Sequence, residues 1–372
     1  MKIGILTLPL HTNYGGILQA YALQTILKRM GHEVEVIDKI RNIVFEELPL
    51  HVRIKRFIKK YVLFQSIQPL PWKLRKKQHK HTWKFIDQHI KRKAIKNLNE
   101  IKSSEYETII VGSDQIWRPQ YFQGNYKVSI TNAFLDFAKT WNIKRIAYAP
   151  SFGTDVWEYS DYETIKCREL IQLFTAVSVR EGSGIDLLKE KLAYTEACIC
   201  IDPTLLLKQE DYIDLFQKAK VKTTKGNLLI YILDDNPEKQ ELINTIASYH
   251  KLVPFYVNSK VESLNPEERN CSQPPVEQWL RGFYDAEFVI TDSFHACIFS
   301  IIFGKPFIVY GNKKRGMARF TTLLSLFNLE DRLILHTKNY SPSKINSNII
   351  EAQQLLSKYR EQGYRFLQNA LQ

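Results

Sequence analysis

Residues 2–38 read KIGILTLPLHTNYGGILQAYALQTILKRMGHEVEVID, and three patterns follow one another in them. KIGILTL (2–8) is a short apolar run, the signature of a parallel strand buried on both faces. Residues 9–15 hold Pro9, Asn13 and Gly15 and read as a turn. From about Gly16 onward Ile17, Leu18, Tyr21, Ala22, Ile26, Leu27 and Met30 recur at helical spacing. Gly31 supplies a C-cap, and EVEVID is the next strand. Strand, helix and strand in this order form a β-α-β unit of the doubly wound type.

The same alternation continues outward from this unit. ETIIVGSD (107–114), KRIAYAPSFG (144–153), TAVSVRE (175–181) and ACICIDPTLLL (197–207) are strands running into turns, the last stopped by Pro203. NLLIYIL (227–233), LVPFYV (252–257), EFVITDSFHA (287–296) and PFIVY (306–310) repeat the rhythm, with helices near 237–250, 275–284 and 295–303. Residues 348–370 are polar with spaced apolar positions and read as a terminal amphipathic helix. The expected fold class is α/β, with two Rossmann-like domains of parallel sheets flanked by helices and facing a cleft. The expected boundaries are 1–205 for the N-terminal domain, with a basic helical insertion at about 40–100, 206–345 for the C-terminal domain, and 346–372 for a closing helix.

Composition sets limits on function. The 372 residues are 44% hydrophobic and 24% charged, enough for two cores and too apolar for global disorder. No stretch reaches 18 uninterrupted apolar residues and the N-terminus has no signal-peptide pattern, so a cytoplasmic protein is expected. The cysteines are Cys167, Cys198, Cys200, Cys271 and Cys297, an odd number at irregular spacing that fits reduced thiols. Cys198 and Cys200 offer two sulfurs without further ligands, so no metal site is expected. The net charge of +13 is concentrated: residues 53–96 hold fifteen Lys and Arg against one acid, Asp87. Interleaved Phe57, Trp72, Trp83 and Phe85 suit peripheral contact with an anionic membrane at the inner face of the plasma membrane. Nucleic acid and a plain solvated helix face are the alternatives.

In open α/β sheets ligands bind beyond the carboxyl ends of the strands. Four such ends carry unusual polar residues. HTNYGG (11–16) places Asn13, Tyr14, Gly15 and Gly16 at a helix N-terminus, where amides attract anions or sugar hydroxyls; the alternative is a tight turn shaped by two glycines. GSDQIW (112–117) offers Ser113, Asp114 and Gln115, with Asp114 either an acid–base group or a helix N-cap. SVREGSG (178–184) sets Arg180 beside helix amides, a receptor for phosphate or carboxylate, unless it pairs with Glu181 or another acid. TDSFHA (291–296) gathers Asp292, Ser293 and His295. A histidine there can act as acid or base, or be a buried hydrogen-bonded structural residue. KKRGMARF (313–320) adds Arg315 and Arg319, either anion ligands or solvated charge.

Taken together, NYGGILQAYAL, VGSDQIW, SVRE, IDPTLLL and TDSFHACIFSIIFGKPFI, in this order, resemble the polysaccharide pyruvyl transferase family. The resemblance implies a GT-B-like pair of domains and a phosphoenolpyruvate-dependent transferase of exopolysaccharide or capsule biosynthesis. Phosphoenolpyruvate is the implied donor substrate, with no cofactor, and a sugar or lipid-linked oligosaccharide the implied acceptor. His295 is the implied catalytic histidine and Arg180 the implied donor ligand, with Asp114 or Asp292 orienting the acceptor hydroxyl or the imidazole. Many members carry arginine two residues before the histidine; here Ser293 stands there, and Arg315 or Arg319 is the expected substitute. A GT-B glycosyltransferase acting on nucleotide sugars and a catalytically inactive glycan- or membrane-binding member remain as rival readings.

Overall fold

In a computed structural model the described residues are 1–40, 71–259, 268, 270–311, 316–337, 340 and 349–372. The first sheet contains β1 (Lys2–Leu6), β2 (Glu33–Lys39), β3 (Arg92–Ile95), β4 (Thr108–Val111), β5 (Lys144–Ala147), β6 (Ala176–Val179) and β7 (Cys198–Ile199). Their spatial order is β3-β2-β1-β4-β5-β6-β7, and each neighbouring pair is parallel. The second sheet contains β8 (Leu228–Tyr231), β9 (Pro254–Tyr256), β10 (Phe288–Thr291), β11 (Phe307–Tyr310) and β12 (Leu333–Ile334), in the order β12-β11-β10-β8-β9, again all parallel. Helices cover both sheets, so the central strands β4, β8, β10 and β11 are buried along their whole length.

The helices are α1 (Tyr14–Arg29), α2 (Pro71–His89), α3 (Pro119–Tyr126), α4 (Asp161–Ile171), α5 (Gly182–Leu192), α6 (Gln209–Lys218), α7 (Pro237–His250), α8 (Val276–Asp285), α9 (Phe294–Ile302), α10 (Ala318–Leu326) and α11 (Ile349–Leu371). The basic stretch departs from expectation. Where it is described, α2 leads into β3, which pairs in parallel with β2 from Val36–Arg92 to Lys39–Ile95. Residues 71–95 therefore complete a β-α-β crossover of the first domain. Its 41–70 portion lies outside the described residues.

One apolar core runs through both domains. It joins Ile17, Leu18 and Leu27 of α1 to Trp279 and Phe283 of α8, Phe299 of α9 and Leu367 of α11. Tyr14 stacks on Trp279 with ring centroids 5.2 Å apart, and its hydroxyl donates to the Pro274 carbonyl at 2.7 Å. Separate apolar clusters fill the outer faces of each sheet. The domains are thus fastened below the cleft by buried contacts. No helix among the described residues is long and apolar enough to cross a membrane.

Candidate active site

Each sheet has one point where the strand order reverses, between β1 and β4 in the first and between β8 and β10 in the second. Crevices open at such points because the flanking loops leave in opposite directions. Here the two crevices face one another across a cavity of about 230 Å³. Leu8, His11, Asn13 and Gly16 line it from beyond β1, Asp114 and Gln115 from beyond β4, and Tyr121 and Asn125 from α3. The opposite wall is Leu233 beyond β8, Asp292, Ser293, Phe294 and His295 beyond β10, and Arg319 and Phe320 on α10.

The histidine is held from both sides. Its Nδ1 lies where a Cβ on Gly15 would sit, 2.0 Å from that position. Its Nε2 is 3.7 Å from Oδ2 of Asp202. Gly15 and Gly16 lie inside α1 without positive φ, so neither serves a tight turn, and Gly15 permits a close approach. Asn13 is the helix N-cap, its Oδ1 accepting from the Gly16 amide at 3.2 Å. The Gly16 amide is therefore already bonded.

Asp202 is the junction of the site, and sequence reasoning passed over it. It is fully buried and accepts from Arg180 Nη1 at 2.7 Å, Ser113 Oγ at 3.0 Å, and the Thr204 amide and hydroxyl at 3.0 and 2.7 Å. Burial pushes its pKa up, but His295, Arg180 and Thr204 outweigh this and hold it well below the ordinary carboxylate range. The signal was an aspartate at a strand's carboxyl end, which Pro203 disguised as a plain strand stop.

The arginines divide the work differently from expectation. Arg180 is buried and is not on the cavity wall; its pairing is with Asp202, and with Asp114 at 3.6 Å, while Glu181 accepts from the amides of Phe152 and Gly153. Burial disfavours its charge, yet Asp202, Asp114 and Glu181 together raise its pKa. Arg319 is the guanidinium that lines the cavity. Both guanidinium carbons lie over the ring of Phe294, at 4.4 Å for Arg180 and 5.5 Å for Arg319. Burial, and then repulsion from Arg180, pull the Arg319 pKa down to about 10. Arg315 lies outside the described residues.

Other expected site residues serve the framework. Tyr14 is 1% exposed and engaged in the interdomain stack. Ser113 is wholly buried, donating to Asp202 and the Ala149 carbonyl. Asp292 touches the cavity, but its carboxylate accepts from Lys239 Nζ and the amides of Leu233 and Asp234 at 2.7–3.0 Å. It anchors the loop after β8, and the carboxylate beside the imidazole is Asp202. Asp114 has φ 71°, a left-handed conformation pinned by its carbonyl accepting from the Ser151 amide at 2.8 Å. Backbone strain of this kind costs about 1–3 kcal/mol and collects at functional sites. Among the described residues no group of three His, Cys, Asp or Glu could hold a metal ion.

Known proteins of similar shape are distant in sequence. The UDP-GlcNAc 2-epimerase of Neisseria meningitidis bound to UDP-GlcNAc is 12% identical, with a TM-score of 0.49 over 98% of this chain and 94% of that one. HepE of Anabaena in complex with UDP is 10% identical, with a TM-score of 0.49 over 100% and 99%. The Methanocaldococcus jannaschii UDP-GlcNAc 2-epimerase is 13% identical, with a TM-score of 0.45 over 99% of each chain. No curated protein matches the sequence. The family model of polysaccharide pyruvyl transferase matches residues 13–314, which span both walls of the cleft from Asn13 to His295. The chain belongs to the polysaccharide pyruvyl transferase family.

Proposed function

We propose that the protein transfers a pyruvyl group from phosphoenolpyruvate to two hydroxyls of one sugar in a bacterial surface polysaccharide or its lipid-linked precursor. The observation that carries this reading is the sharing of one small cavity by His295, backed by the Asp202 carboxylate, and the buried Arg319 guanidinium. A cavity of about 230 Å³ is small beside the roughly 300–1,000 Å³ usual for drug-sized ligands, which suits a three-carbon donor.

The chemistry needs three events. A proton reaches the methylene carbon of the donor, and the first hydroxyl oxygen bonds to the central carbon and gives up its proton. The second hydroxyl oxygen then displaces phosphate and loses its own proton. His295 supplies the first proton and recovers one from a hydroxyl. Asp202 stands beside the ring, its Oδ2 3.7 Å from Nε2. Arg319 takes the donor's phosphate or carboxylate, and an anion there relieves its repulsion with Arg180. Arg180 acts from behind Phe294 by fixing Asp202. Asp114 and Gln115, on the opposite wall, orient the acceptor hydroxyl.

Phosphate release from phosphoenolpyruvate in the presence of glycan acceptors tests the reading. His295→Ala is expected to fold and to lose about 10²–10⁴-fold in turnover. Near-full turnover in that variant would remove His295 from its role. Thermal stabilisation by nucleotide sugars but not by phosphoenolpyruvate would overturn the donor.

A further inference from the structure

Two groups of cations stand out among the described residues of the basic stretch. Just before and on β3, Lys91 pairs with Glu33 at 2.8 Å, Arg92 with Asp38 at 2.7 Å, and Lys93 with Glu105. These charges are used by the fold. On α2 the pattern is different. Lys76, Lys77, Lys80 and Lys84 are all exposed, and their spacing places them on one helical face. The other face buries His79, Thr82, Phe85 and Ile86 against the core. Among the described residues Lys76, Lys80 and Lys84 have no acidic partner. Lys77 donates to the Asn270 side chain and carbonyl.

The buried side of α2, opposite the lysines, is the one that meets the cleft rim. The Gln78 carbonyl accepts from the Gln273 amide at 3.0 Å, and the Gln273 side chain donates to the Thr12 carbonyl at 3.3 Å. The rings of His79 and His11 are 6.3 Å apart, and His11 lines the cavity.

We propose that the lysine face of α2 docks the protein on an anionic phospholipid bilayer. The charge is complementary to such a surface, and a plane of negative headgroups asks only for a row of ammonium groups. Single-stranded nucleic acid asks for aromatic platforms as well. Trp83 packs against the core, its ring 4.8 Å from that of His79, and Phe85 is wholly buried, so neither is offered to bases. The inference does not depend on the donor or the reaction.

The test is co-sedimentation of the full chain with vesicles of phosphatidylcholine containing 30% phosphatidylglycerol, and with pure phosphatidylcholine vesicles. Binding is expected only to the first, and is expected to vanish at about 1 M salt, where the Debye length is about 3 Å. The triple variant Lys76→Gln/Lys80→Gln/Lys84→Gln should lose about a hundredfold in affinity, since each lysine near a charged surface contributes about a factor of five. Its melting temperature should match the wild type because all three residues are exposed. Lys220→Gln/Lys222→Gln/Lys225→Gln changes the net charge equally, at exposed sites elsewhere, and should bind like wild type. Equal loss in both triple variants would reduce the effect to net charge and overturn the proposal. So would binding to single-stranded DNA without binding to the charged vesicles.

Discussion

Asp202 connects what the two domains supply separately, since Arg180 comes from the first and His295 from the second. Asparagine there keeps the shape and removes the charge. Arg180 would be left as a buried cation with Asp114, at 3.6 Å, as its remaining ion pair among the described residues, and breaking a buried pair on one side costs about 3–5 kcal/mol. The pH dependence has a definite sign. A carboxylate whose pKa is depressed by folding contributes stability that is complete above its unfolded value, about 3.9, and declines as pH falls below it. Denaturant unfolding of wild type and Asp202→Asn should therefore differ by a constant amount from pH 8 to about 5, and converge below about pH 4. A gap that stays constant to pH 3 would remove the charge as its cause. At this scale the place of Asp114 and His295 on the cavity wall was legible because both follow strand ends, where crevices open. Tyr14 and Ser113 stood at the same ends, but their side chains turn inward, and direction is not written in spacing.

At the scale of elements, α1 shows how a motif can be read for the wrong reason. Its glycines suggested a tight turn or an amide receptor, and the helix uses one of them to admit an imidazole. The two positions separate cleanly. A Cβ on Gly15 would fall 2.0 Å from Nδ1 of His295, whereas one on Gly16 meets nothing closer than 3.6 Å. Gly15→Ala is expected to cost about 1–3 kcal/mol as overpacking and to push the ring away from Asp202, with activity falling to the level of His295→Ala. Gly16→Ala should melt like wild type. Thermal melts with the phosphate-release assay check both, and an active Gly15→Ala enzyme would contradict the close approach. The α2–β3 unit was hidden for a different reason. Its exposed lysines dominated the composition and concealed a buried helical stripe through Phe85 and Ile86. The main strands of both sheets were legible because strands buried on both faces read as unbroken apolar runs.

The whole molecule depends on the terminal amphipathic helix that the sequence announced, α11. Near its start α11 lies against the second domain, with Gln353 Nε2 3.4 Å from the Ile302 carbonyl. Further along it reaches the first domain, where Arg360 donates to the carbonyls of Leu205 and Leu207 at 3.1 and 3.0 Å, and Gly363 fits against Leu206 and Tyr148. Its end receives Lys144, whose ammonium group donates to the Leu371 carbonyl at 2.9 Å. These contacts grip the turn Pro203–Leu206, which follows Asp202 directly. The helix therefore fixes the domain pair and, through that turn, the carboxylate beside His295. Arg360→Ala leaves two carbonyls without their donor, at about 1–3 kcal/mol each where water does not replace it. The variant should unfold at lower denaturant, and its turnover should fall more than its affinity for phosphoenolpyruvate, because Arg319 stands on a different element. Arg360→Lys should recover part of the stability through a single donor. Equal losses of turnover and donor affinity would instead mean that α11 holds the cleft open or shut as a whole, without a particular path through Asp202.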